Sequence, residues 1–108
     1  MVKTIIIIIL ILHGLIHFLG FVKAFELAQI DQLKEQISNK AGTFWLLTAF
    51  IFFVTAILLY FGNESWRMAG GAAVIISQIL IILSWSDAKY GTIANVVVAV
   101  AISLEFGN

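Results

Sequence analysis

No Asp, Glu, Lys or Arg stands between Lys3 and Lys23, between Lys40 and Glu64, between Arg67 and Asp87, or between Lys89 and Glu105. A hydrocarbon core of ~30 Å takes ~20 residues of helix at ~1.5 Å each, and the first three of these stretches reach that length. Within hydrocarbon the backbone has no water to bond, so it must close its hydrogen bonds on itself. That requirement overrides Ile5 to Ile9, a run of β-branched residues that makes poor helix in water.

Composition agrees. Of 108 residues, 62% are hydrophobic and 11% charged, with a mean hydropathy of +1.10. A soluble domain carries about a quarter charged residues. One this small would lack the polar surface to cover itself. The expected fold is therefore all-α and membrane-embedded: a single antiparallel bundle of four transmembrane helices over residues 1–108. Lys3 ahead of an apolar run looks like a signal peptide, but Thr4 to Val22 exceeds an ordinary signal core of roughly 7–15 residues and is read as a retained span.

The spans are expected at about Thr4–Phe25, Ala41–Phe61, Trp66–Trp85 and Thr92–Phe106, the last short unless it begins near Asp87. Trp45 and Tyr60 stand where interfacial anchors usually sit. Between the first two spans, Leu27, Ile30, Leu33 and Ile37 recur at helical spacing among Glu26, Asp31, Lys34 and Glu35. This predicts a short amphipathic interfacial helix over Glu26–Ser38, broken by Ser38-Asn39-Lys40. Short connections make neighbours antiparallel and put both termini on one side. Lys23, Lys34, Lys40 and Lys89 oppose Lys3 and Arg67, which leaves the orientation open.

Antiparallel packing gathers the polar residues into one leaflet. His13 and His17 fall ~15 and ~9 Å below Lys23 along the first span. Ser77, Gln78 and Ser84 end the third, Asp87 and Lys89 follow in the turn, and Thr92 and Asn95 open the fourth. Polar side chains facing lipid are costly, so these are expected to turn inward. Two outcomes are open: a hydrogen-bonded network that sets helix register, or a polar-lined pocket for a ligand. The candidate ligand-binding residues are His13, His17, Gln78, Asn95, Ser84, Asp87, Lys89 and Lys23.

His13 and His17 share a helix face at i, i+4 and could hold a metal ion, ligate haem or relay a proton. No cysteine and no third histidine exists to complete a metal set. Lys23, Asp87 and Lys89 read either as interfacial charge, with lysines snorkelling to headgroups, or as a rim selecting an anionic or polar group. Gln78, Trp85 and Lys89 would share a face if the third helix continued. Gly14 with Phe18, Phe21 and Phe25, and the small residues from Met68 to Ala73, read as packing surfaces within the bundle or across a homodimer.

His13-Gly14-Leu15-Ile16-His17-Phe18-Leu19-Gly20-Phe21 resembles the first-helix pattern of small bacterial DoxX-like membrane proteins. There a histidine-glycine pair precedes a polar residue, often lysine where this chain has His17, and then phenylalanine-glycine. Ser84-Trp85-Ser86-Asp87-Ala88-Lys89-Tyr90-Gly91 is similar to a turn in uncharacterised bacterial four-helix proteins. The resemblance implies a four-helix bundle in a bacterial inner membrane and, for some members, quinone-linked sulfur oxidation.

No hydrolase triad, phosphate loop or dinucleotide fingerprint is present, and no basic patch points to nucleic acid. The expected role is a small membrane protein with a polar cavity for a lipid, quinone or other amphiphile, not an enzyme as an isolated chain. The alternatives are an accessory subunit completed by a membrane partner, and redox work with bound quinone or haem. The cofactor, if any, is unspecified by the sequence.

Overall fold

The computed structural model describes residues 1–27 and 37–104, and every regular element among them is helical. These are α1 Val2–Ala24, α2 Asn39–Tyr60, α3 Trp66–Leu83, the single turn α4 Trp85–Ala88, and α5 Gly91–Ser103. The first three are long and apolar enough to cross a membrane, with mean hydropathies of 2.7, 2.2 and 1.7. Their outward faces are apolar too. Ile8, Leu12, Ile57 and Ile82 are each more than half exposed, a surface suited to lipid and not to water. The chain is on these grounds a membrane protein.

Local chemistry explains the element ends. Ser38 caps α2, its Oγ accepting from the Ala41 backbone N–H at 3.1 Å, which satisfies one of the unpaired donors of the first turn. Asn39 and Lys40 therefore open α2. The amphipathic segment expected over Glu26–Ser38 falls largely on residues 28–36, outside the described residues. α3 stops at Ser84, where φ −122° and ψ 40° leave the helical region. Gln78, Trp85 and Lys89 consequently do not lie on one continuous helix. The chain makes the separate turn α4 and restarts at Gly91. The helix expected to begin at Thr92 or near Asp87 is thus in two pieces, and α5 spans about 20 Å.

The apolar core joins Ile6 and Leu10 of α1, Phe52 and Leu59 of α2, Trp66 and Ala73 of α3, and Val98 of α5. Trp45 is expected as an interfacial anchor, and Trp66 stands at the start of α3. They are instead 5% and 1% exposed, as parts of the packed interior. Trp45 is drawn in by glycine. A Cβ on Gly20 would lie 2.5 Å from Trp45 Cδ2, so only glycine leaves room for the indole against α1. Gly42 faces Ala24 and Gly14 faces Phe53 in the same way. Small residues here let two backbones approach, as they do in membrane packing generally.

The buried threonines are satisfied within their own helix. Thr48 and Thr55 donate to the carbonyls of Phe44 and Ile51, each at 2.7 Å. Among the described residues, the sealed polar side-chain atoms without a hydrogen bond are Nε and Nη2 of Arg67. Its guanidinium carbon lies 5.8 Å from the Trp66 ring centroid.

Candidate functional site: a polar network beside a cavity

Three helices contribute side chains to one buried polar cluster, and α2 packs aromatic rings against it. α1 brings His13 and His17 to the interior on one face, 2% and 1% exposed, as the four-residue spacing requires. α3 brings Ser77 and Gln78. α5 brings Asn95 and Thr92. The rings of His13 and His17 meet edge to face at 4.5 Å between centroids, and both pack against Phe52. Trp45 covers His17 at 4.8 Å.

Donor and acceptor chemistry orders the bonds. The His13 carbonyl can only accept, so His17 Nδ1 carries its proton and donates to it at 2.9 Å. His17 Nε2 is then the acceptor of a neutral ring, and Ser77 donates its hydroxyl to it at 2.7 Å. Asn95 Nδ2 donates to Ser77 Oγ and to Gln78 Oε1, both at 3.0 Å. Asn95 Oδ1 accepts from His13 Nε2 at 2.9 Å. Gln78 Nε2 donates onward to Thr92 Oγ1 at 3.1 Å. A longer contact of 3.5 Å also joins His13 Nε2 to Ser77 Oγ, and the donor and acceptor directions agree around the whole cluster. The two rings hold opposite tautomers, His17 protonated on Nδ1 and His13 on Nε2. Such mutual consistency is what makes a buried polar network rigid instead of costly.

Three of the four imidazole nitrogens are thereby engaged by protein groups. A metal ion would have to displace these bonds. Among the described residues no group of three His, Asp or Glu side chains gathers.

Against this network lies a partly open cavity of about 270 Å³. Ile16, Trp45, Ile81 and Ala94 form apolar walls, and His13, His17, Ser84, Asp87 and Tyr90 are the lining residues that carry polar side-chain atoms beside the Trp45 indole N–H. Gly91 lets the α5 backbone close against it. A Cβ there would lie 2.9 Å from Ile81 Cδ1 and 3.2 Å from His13 Cε1. Mostly apolar walls with a few placed polar groups are the usual make-up of a small-molecule site, and this volume sits just below the common range of ~300–1,000 Å³.

The sequence-derived candidates divide into three groups. His13, His17, Ser84 and Asp87 line the cavity. Gln78 and Asn95 belong to the network behind it, and Ser77, absent from the candidates, is the joint between His17 and Asn95. Lys23 and Lys89 are not among the lining residues. Lys89 is exposed, with Nζ 5.5 Å from the Tyr90 ring centroid. The walls Ile16, Trp45, Ile81 and Ala94 carried no chemical signal in the sequence.

Comparison with protein-family models, curated proteins and solved structures gives no match, so the chemistry of this site rests on its own geometry.

Proposed function

We propose that this chain is a multi-pass protein of a bacterial inner membrane that takes an amphiphilic molecule, such as a lipid or a quinone, into the cavity beside the His13–His17 network. The single observation that carries the reading is the position of that cavity. It is a mostly apolar-walled space within a membrane protein, and His13 and His17 of the buried network are among the residues that line it. An amphiphile matches both surfaces at once: its polar end reaches the imidazoles and its chain lies along Ile16, Ile81 and Trp45.

A four-span antiparallel bundle, akin to the DoxX-like arrangement, is part of the proposal. Support comes from the pairing of Gly14 with Phe53, Gly20 with Trp45, and Ala24 with Gly42, which runs in opposite senses along α1 and α2. The apolar character of α5 supports a fourth crossing, with α4 and Tyr90 extending its ~20 Å toward the surface.

Trp45 provides the test. In a Trp85→Phe background, a brominated alkylphenol added to the protein in nanodiscs is expected to quench Trp45 emission saturably. Trp66, buried in the separate apolar core, supplies a constant background. Ala94→Leu puts a larger side chain into the cavity and should abolish the saturable part. Quenching that rises without saturation and ignores Ala94→Leu is ordinary partitioning into lipid, and would count against the site.

A further inference from the structure

We infer that the amphiphile bound in this cavity is one that donates a hydrogen bond, and that its acceptor is Nδ1 of His13. The inference rests on the proposed cavity and narrows its ligand to neutral molecules carrying a hydroxyl or N–H group.

The argument follows from the order of the network. His13 Nε2 must donate, because the oxygen it meets at 2.9 Å is the amide oxygen of Asn95, whose nitrogen is committed to Ser77 and Gln78. In a ring with its proton on Nε2, Nδ1 is a lone-pair acceptor. That atom has no partner among the described residues, whereas both nitrogens of His17 are used. Nor is it sealed, since the sealed unpartnered atoms belong to Arg67. The open space that His13 borders is the cavity, whose wall at Gly91 lies against the His13 ring at Cε1, the carbon between its two nitrogens; with Nε2 committed to Asn95, Nδ1 is the nitrogen left to meet a ligand there. A donor arriving at this acceptor gains a hydrogen bond, and with it affinity, that an isostere without a donor does not.

The charges of the lining fit the same ligand. Among the described lining residues there is no Lys or Arg, and Asp87 is one of them. A carboxylate or phosphate head would offer no proton to His13 Nδ1. Lys23 and Lys89, the lysines read as a candidate anion-selecting rim, are not among those lining residues.

The chain has two histidines, which makes nitrogen NMR decisive. With ¹⁵N-labelled histidine in nanodiscs, His13 is expected as the Nε2–H tautomer and His17 as the Nδ1–H tautomer, assigned with His17→Gln. Adding para-hexylphenol should shift His13 Nδ1 as it accepts a hydrogen bond. Its methyl ether, para-hexylanisole, has nearly the same shape and no donor, and should bind about tenfold more weakly. Ala94→Leu should remove the shift. Displacement of the phenol by a monoacylglycerol would put the donor on a lipid, and resistance to it would put the donor on a smaller aromatic; both fit the inference. His13 protonated on Nδ1 at rest, or phenol and ether binding equally, would overturn it and leave the cavity standing. Failure of both probes to bind would overturn the cavity reading as well.

Discussion

Asn95→Leu is expected to destabilise the folded bundle by roughly 2–4 kcal/mol. Asn95 is 3% exposed and bonds to three side chains on two other helices. Its loss strands the His13 Nε2 proton, deprives Ser77 of its incoming donor, and leaves Gln78 Oε1 unmet. Single interhelical hydrogen bonds within membranes average only ~0.6 kcal/mol, because the unfolded chain also finds partners. The larger figure is expected here because leucine offers nothing to three groups that stay buried. Gln78→Leu is the comparison. It removes the bonds to Asn95 and Thr92 from a half-buried position, and should cost about half as much. Reversible unfolding in mixed micelles would measure both. A change below ~0.5 kcal/mol for Asn95→Leu would mean that the network is incidental to the fold.

Gly20→Val and Gly42→Val should each cost about 3 kcal/mol or more, enough to abolish folding in many detergents. The reason is steric. A Cβ on Gly20 lands 2.5 Å from the Trp45 ring, and one on Gly42 overlaps the Cβ of Ala24. These neighbours are a rigid indole and a methyl fixed to a helix backbone, so neither can swing aside as a flexible side chain would. Separating α1 from α2 would also pull Trp45 from His17 and open the cavity. Gly71 is the control, since a Cβ there meets nothing within 4 Å. Gly71→Ala should be neutral, or stabilising by up to ~1 kcal/mol through helix propensity. The same thermal or chemical unfolding series distinguishes the three variants. Equal effects at Gly20 and Gly71 would contradict the close approach of α1 to α2.

Much of the network could be read from the sequence, because its members are polar residues inside charge-free apolar runs. The cost of facing lipid forces such residues inward, and the four-residue step between His13 and His17 puts both on one face. That logic alone brings His13, His17, Gln78 and Asn95 together. It gives Ser77 no special weight, since a serine in a membrane helix usually bonds back to its own backbone. Ser77 instead turns to His17.

A polar pocket was legible, but its walls were not. Ile16, Ile81 and Ala94 are indistinguishable in sequence from residues that face lipid. Trp45 looks like an interfacial anchor because it stands near a helix end, and only Gly20, far away in the chain, makes room for it. Lys23 and Lys89 attracted attention as charges close to the polar half, yet proximity along the chain did not bring them to the cavity. Ser84 ends α3 because of its backbone conformation, a local event that helical periodicity cannot foresee.

Photolabelling tests the central claim most directly. An alkylphenol with a diazirine on its chain would be irradiated with the purified protein in nanodiscs, and the modified residues located by peptide mass spectrometry. Insertion concentrated at Ile16, Trp45, Ile81 and Ala94, and suppressed by excess unlabelled alkylphenol, is the result expected of a molecule bound in the cavity. Insertion spread over the outward-facing Ile8, Ile57 and Ile82, and indifferent to competitor, would show that the amphiphile meets this protein only as solvent.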